Sequence, residues 1–481
     1  MNRFLNGLKE QSNITLTENG GITRKSTNSA LYDMFAQGAA MRKRANNDII
    51  LMFKKAFEEN EIYALKCLFY MRDILQGQGE RRFFRICMGW LATEQTDAAR
   101  RLYKFIPEFG RWDDLYCLFN TPLESEVIEF IRDQLLLDVE STTPSLLAKW
   151  LKSENTSSPE SRALAKQTRK GLGLTSKSYR QILSALREKI KIVETLMSEN
   201  RWDEIEFDKI PSKAGLKYRN AFARRDIIKE KYKTFAQSKE TKVNAKTLYP
   251  YEVVQEALRF GNDANRDIIN KYWDNLTDYF NEASLNALCV VDTSASMRGT
   301  PLNVAISLGM YCAERGKGPF ANHYIAFSRN PRLVSVEGID FCDKVQRIYN
   351  ANLCENTNIE GTFDMILNTL VKNKCTKEDL PENVIVISDM EFDSARTDYF
   401  SDIQTVMERQ ETKWAAQGYI MPNLVFWNVD ARQDNIPMKD NGRVTFVSGF
   451  SPVIFQMVMS GKSGQDLMFE KLNNKRYEDI V

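Results

Sequence analysis

Near residue 284 the apolar pattern of this chain changes its period. Upstream, apolar residues recur at i, i+3, i+4 and i+7. The stretch "DIILMFKKAFEENEIYALKCLFYMRDIL" describes two amphipathic helices that meet near Glu59 and Asn60. Downstream, the short runs "LNALCVV", "NHYIAFS", "NVIVIS", "NLVFWNV" and "RVTFVS" are apolar almost throughout. They alternate with the helix-period segments "PLNVAISLGMYCAER", "EGTFDMILNTLVKN" and "YFSDIQTVMERQETKWAA". Strands that are apolar on both faces are covered on both faces, so this half predicts a mostly parallel, doubly wound Rossmann-like sheet. At 481 residues the chain exceeds one ordinary core. The change of period divides it into a flexible polar arm (1–28), an α-helical module (29–283) and an α/β domain (284–481), an α + α/β class.

Within the helical module, further helices are expected in "ERRFFRICMGWLA", "DAARRLYKFIPEF", "DDLYCLF" and "SEVIEFIRDQLLLDV". A pitch of roughly 20 residues suggests stacked hairpins of the HEAT kind. "GQGERR" places Gly77 and Gly79 at a sharp turn before a helix whose first turn carries Glu80. "GRWDDL" and "NRWDEI" read as helix starts, with Asp113 or Asp203 as N-cap and the preceding tryptophan as an apolar staple.

Open parallel sheets take their ligands outside the carboxyl ends of the strands. There "LCVVDTSASMRG" ends a strand in Asp292, Ser294 and Ser296. Asp389 follows "NVIVIS", and Thr357 lies in "CENTNIEG" just before a helix. Carboxylate and hydroxyl oxygens without nitrogen or sulfur suit a hard divalent cation, Mg²⁺ first, with Mn²⁺ or Ca²⁺ as alternatives. Helix capping would explain Ser and Asp at one turn, but not the arrival of Thr357 and Asp389 at the same edge.

Net charge is only +2, yet residues 161–246 carry 22 Lys and Arg against 10 Asp and Glu, a local +12, while 285–481 carry 20 against 25. Candidate phosphate contacts are Arg162, Lys166, Arg169, Lys170, Lys177, Arg180, Lys213, Lys217, Arg219, Arg224 and Arg225, with Tyr218, Phe222 and Tyr232 interleaved where bases could stack. A solvated helix face competes with that reading.

Enzyme motifs fail. His323 is the one histidine, which leaves little room for a catalytic triad or a His-rich zinc site. In "GMYCAERGKG", Gly309 is misplaced for a phosphate loop, and Gly318 stands where Ser or Thr is needed. No base is placed to activate water at the metal, so the chain is expected to be non-catalytic. Eight scattered cysteines without a C-x-x-C pair, no apolar run long enough to span a membrane and no cleavable leader predict a soluble cytoplasmic protein with reduced thiols, in host cytoplasm if viral.

Asp292, Ser294 and Ser296, with Thr357 and Asp389, resemble the metal-ion-dependent adhesion site of von Willebrand factor A domains position by position. The resemblance implies that fold over about 285–460, and a metal whose sphere is completed by an acidic group of a partner. "LFYMRDILQGQGERRFFR", "IPEFGRWDDLY", "RWDEIEFDKIPSKAGLKYRNAF" and "TLYPYEVV" resemble a family of cellular and viral proteins. These join a module related to that of the Ro (TROVE) autoantigens to a C-terminal A domain. That likeness implies a helical ring holding small or structured RNA, closed by the A domain. The alternative is a scaffold whose metal site binds a protein partner's Asp or Glu, without nucleic acid. Neither reading involves a membrane.

Overall fold

The computed structural model describes residues 3–259, 263–280, 286–327, 331–351, 358–393, 404–458 and 462–481. The N-terminal part is helical. Helices Asn46–Glu59 and Glu61–Arg72 flank Asn60, which is extended and whose side chain accepts the Tyr63 N–H at 3.1 Å. One residue thus ends one helix and caps the next. Helices Arg82–Glu94, Thr96–Leu102, Glu124–Glu140, Pro159–Gly171, Ser176–Lys189, Ser212–Arg224, Asp226–Gln237, Pro250–Arg259 and Asp263–Asp274 follow.

The two tryptophan motifs begin 3₁₀ turns, but the cap differs from the expected one. In "GRWDDL" Asp114, not Asp113, accepts the Arg111 N–H at 2.9 Å across Trp112–Leu118. Asp114 is completely buried. It also receives Arg72 through Nε (2.8 Å) and Nη2 (2.6 Å), and Arg85 through Nε (2.6 Å). Asp113 instead takes the Arg111 guanidinium at 2.9 Å on both oxygens. Trp112 stacks on Phe130, 5.5 Å between centroids. In "NRWDEI" Asp203 is exposed and Trp202 is the buried residue, with Arg225 over its ring. In "GQGERR", Gly79 has φ +58° and Glu80 accepts the Arg82 N–H at 2.9 Å, so the helix starts at Arg82.

Residues 1–28, expected as a loose arm, instead carry helix Arg3–Ser12 and an antiparallel pair, β1 (Ile14–Leu16) and β2 (Ile22–Arg24). The order comes from contacts distant in sequence, which periodicity does not reveal. Arg24 pairs with Ile436 by two backbone hydrogen bonds, and Thr23 Oγ1 donates to the Ile436 carbonyl at 3.0 Å.

The C-terminal part holds a six-stranded sheet: β3 (Ala287–Asp292), β4 (His323–Phe327), β5 (Arg332–Ser335), β6 (Asn383–Ser388), β7 (Asn423–Asn428) and β8 (Val444–Ser448). The order is β5-β4-β3-β6-β7-β8, parallel except for β5 against β4. The edge strand β5 was not expected from the sequence because it is largely exposed and lacks an apolar run. The helix Phe341–Ala351 was not expected either. The helix expected at 399–416 is described from Val406 to Ala416 and capped by Thr405, and its first residues lie outside the described ones.

Both ends of the helical part rest on the sheet part. Helix Ala30–Gln37 packs on β7 and β8, where the Tyr32 hydroxyl accepts the Phe446 N–H at 2.9 Å. At the other end, Pro250–Arg259 and Asp263–Asp274 pack on the helices Thr300–Arg315 and Phe341–Ala351. There Trp273 stacks on Phe341 at 4.1 Å and donates its indole N–H to Glu314 at 2.6 Å. Arg476 and Tyr477 return to the buried Asp73. One apolar core is continuous across both parts. Among the described residues no helix is long and apolar enough to cross a membrane, and the described cysteines are free thiols.

Burial pushes the Asp114 carboxyl up, but Arg72 and Arg85 outweigh it and hold it below its ordinary value. Asp114→Ala would leave Arg72 buried and unpaired, at a cost of about 3–5 kcal/mol in denaturant unfolding. The acid's contribution is complete above its unfolded pKa of about 4 and is lost as pH falls through the lower folded value.

Candidate metal centre

The parallel register sets a row of polar residues along the carboxyl edge of the sheet. Val291 faces Ile387, so the next residues, Asp292 and Ser388, lie side by side. Ser388 faces Asn428, and Asn428 faces Ser448. Four neighbouring strands therefore end on an oxygen- or amide-bearing side chain, where the ladder stops and the backbone turns away. Ser388 donates its hydroxyl to Asp292 Oδ2 at 2.6 Å.

Past β3 the chain turns at once. The Ser294 N–H is held by Asp292 Oδ1 at 2.9 Å, and a short 3₁₀ turn over Ala295–Met297 brings the Ser294 and Ser296 hydroxyls within 2.9 Å of each other. Gly299, at φ +89°, then leads into helix Thr300–Arg315. Past β6, Asp389 Oδ1 accepts the Glu391 N–H at 3.1 Å, and the neighbouring Ser296 hydroxyl draws the Asp389 carboxyl down in part. Of the five residues expected at the site, four are thus brought together. Thr357 lies outside the described residues; its neighbour Asn358 caps helix Ile359–Asn373 by accepting the Gly361 N–H at 2.7 Å.

Asp292 and Asp389 are 0% and 1% exposed. Burial, and then the charge of Asp389, raises the Asp292 carboxyl well above its usual range. Burial raises Asp389 as well, although the guanidinium of Arg432 draws it back in part. Two buried carboxylates against one arginine are short of positive charge, and the surrounding donors are hydroxyl and carboxylate oxygens. The residues present therefore fit a small hard cation. Among the described residues no three His, Cys, Asp or Glu side chains lie together as a metal-holding group. A cation here would rest on two carboxylates, serine hydroxyls and water. His323 begins β4 at the opposite end of the strand, its Nδ1 2.8 Å from the Ala321 carbonyl oxygen.

The sequence reading missed a second layer. Arg432 pairs with Asp389 at 2.7 Å and with Glu18 of the N-terminal hairpin at 2.6 Å. Glu391, fully buried, accepts the Glu18 N–H at 2.7 Å and the Asn435 amide at 2.6 Å. Burial pushes its carboxyl up to about 7. An acid two residues beyond Asp389 in "SDMEF" was visible, but nothing in the sequence ties it to residue 18.

The basic candidates divide. Lys166, Lys170, Lys177, Arg180, Lys217 and Arg224 are exposed on successive helices. Arg219 is buried against Glu256 and donates to the Leu216 carbonyl at 2.7 Å, so it is a structural residue. Arg162 turns onto the Thr156 and Ser157 carbonyls, and Arg169 pairs with Glu154 at 2.9 Å. Lys213 pairs with Glu252 at 2.8 Å, and Arg225 holds Asn200. Phe222 and Tyr232 are buried around Phe207, 5.6 and 4.9 Å from its ring, and are not available to stack on bases; Tyr218 is half-buried.

Helical part, six-stranded sheet and oxygen-rich edge together define a mixed α/β protein with a candidate cation site at the carboxyl end of its strands. Residues 17–126 and 134–285 match the family described as "Domain of unknown function (DUF2828)", and the chain belongs to that family. Residues 286–479 match a second one, "Domain of unknown function (DUF7788)". An uncharacterized protein of Acanthamoeba polyphaga mimivirus is 29% identical over 495 residues, which cover 94% of this chain and 85% of the relative.

Glu391→Ala would strand the Glu18 N–H and the Asn435 amide without their acceptor. Each unpaired donor costs about 1–3 kcal/mol where water cannot reach it. Hydrogen exchange across residues 14–24 is expected to accelerate while the helical part exchanges as in the wild type.

Proposed function

We propose that this is a non-catalytic RNA-binding protein in which a basic, HEAT-like helical module of Ro (TROVE) type is closed by a divalent-cation-binding von Willebrand A domain. The sheet order, with its single antiparallel edge strand, supports the A-domain reading. The docking of both ends of the helical part on the sheet part supports the closed arrangement. The single observation that carries RNA binding is the one-signed charge: residues 161–246 hold a net +12, and eight of the eleven basic candidates are exposed, six of them besides Lys213 and Arg225, which Glu252 and Asn200 hold. The exposed cations would neutralise backbone phosphates and release their counterions, a term that depends on salt and not on sequence. Mg²⁺, held by Asp292, Ser294, Ser296, Asp389 and Thr357, would neutralise the buried carboxylates and fix the strand-end loops.

A second reading, the scaffold whose metal takes an acidic side chain of a partner, is favoured by one contact. Glu18 already stands at the mouth of the site, on Arg432. The two readings differ in what Asp292→Ala removes: a protein partner in the scaffold, but not the RNA in the first.

Filter binding of structured RNA is expected to weaken with salt. If the six exposed cations each engage a phosphate, the log–log slope is about −4 to −5. Reversing Lys166, Lys170 and Lys177 to Glu should lower both affinity and slope. A flat salt dependence would contradict RNA binding. Mg²⁺ at a hundredfold excess over its Kd should stabilise the wild type by about 2.7 kcal/mol and Asp292→Ala not at all, as read by thermal unfolding.

A further inference from the structure

The turn of the N-terminal hairpin grips the loop that follows Asp389. Thr17 Oγ1 donates to the Phe392 carbonyl at 2.7 Å, the Glu18 N–H to Glu391 at 2.7 Å, and the Asn19 amide to the Glu391 carbonyl at 2.6 Å. The approach is close enough that a methyl group on Gly21 would lie 2.4 Å from the Phe392 carbonyl oxygen. This embrace carries the Glu18 carboxylate to the candidate metal centre, 375 or so residues away in sequence. A single guanidinium, that of Arg432, lies between it and Asp389: Nη1 is 2.6 Å from Glu18 and Nη2 is 2.7 Å from Asp389.

Two features set this bridge apart from an ordinary surface ion pair, which would contribute little. One of its carboxylates, Asp389, is wholly buried, whereas the Glu18 side chain is 38% exposed and able to shift. The Arg432 Nε is buried and has no hydrogen-bond partner among the described residues. An arginine built in as a permanent strut satisfies its buried donors. This one places a positive charge between two acids without using its full fork.

We propose that a divalent cation exchanges with the Arg432 guanidinium at Asp389, and that Glu18 then becomes a ligand of that cation, directly or through one water. The metal site is thereby closed by an acid of the same chain, and cation binding fastens the hairpin to the sheet. The proposal rests on the metal reading above. It changes the role of the site: the acidic group that completes the sphere is internal, and a partner's carboxylate has to displace Glu18 to enter. No covalent step is involved, and both carboxylates retain a positive neighbour throughout the exchange.

The test is Mn²⁺ binding to the full chain, followed by the electron paramagnetic resonance of free Mn²⁺, together with hydrogen exchange of residues 14–24 with and without Mg²⁺. Glu18→Gln, a conservative change at an exposed position, is expected to weaken Mn²⁺ by about tenfold or more, on the scale of groups that support a metal ligand. Mg²⁺ should slow exchange in the hairpin of the wild type and leave it unchanged in Glu18→Gln. Arg432→Gln, which removes the competing cation, should bind Mn²⁺ more tightly; weaker binding would overturn the exchange. If Asp389→Asn abolishes Mn²⁺ binding while Glu18→Gln binds as the wild type does, with hairpin exchange indifferent to Mg²⁺, the hairpin proposal is wrong and the metal reading stands. If the wild type takes up no Mn²⁺, both fall.

Discussion

Asp292 and Asp389 are buried side by side at the carboxyl edge of a parallel sheet, and much of the surrounding architecture compensates for that charge. An ionised carboxylate taken out of water is tolerated only where hydrogen bonds and opposite charge replace the lost hydration. The structure supplies the Ser388 hydroxyl, the Ser294 and Glu391 N–H groups and the Arg432 guanidinium. Even so, both carboxyls remain pushed upward. A hard divalent cation is the simplest species that would complete the neutralisation, which is why the proposed metal fits the rest of the arrangement.

The same edge is where distant parts of the chain meet. Residues 38–44 of the helical part cross it, with Lys43 on Asp430 at 2.6 Å and the Ala40 carbonyl accepting the Ala431 N–H. The N-terminal hairpin covers the loop beyond Asp389, and the helices at the end of the helical part return onto the helices Thr300–Arg315 and Phe341–Ala351. A cation at this place would therefore act on more than its own ligands. Fixing the loops after β3 and β6 would also fix what leans on them, and so connect the sheet to the helical part that carries the exposed basic residues.

Much of this was legible from residues alone. The break at Asn60, the strands Asn383–Ser388 and Asn423–Asn428 and the helix Thr300–Arg315 followed from apolar period, because each buries a continuous face. Asp292, Ser294, Ser296 and Asp389 could be named because strand ends in a parallel sheet share an edge. What escaped depends on contacts remote in sequence. The hairpin at 14–24 has no period of its own and is ordered by the loops near 392 and 436. Strand β5 is an exposed edge. Glu18, Glu391 and Arg432 carry no local signal of meeting. The charge count in 161–246 was likewise correct as a sum but blind to geometry, since Arg219, Phe222 and Tyr232 turned out to be core residues.

The rest turns on the divalent cation proposed at the carboxyl edge of the sheet. Its most direct test is a crystal of the full chain grown with Mn²⁺ and measured at the manganese absorption edge. One anomalous peak is expected among Asp292, Ser294, Ser296 and Asp389, with oxygens at about 2.0–2.2 Å as for a small octahedral ion. A crystal with saturating Mn²⁺ that shows no peak there, and Arg432 still on Asp389, would contradict it.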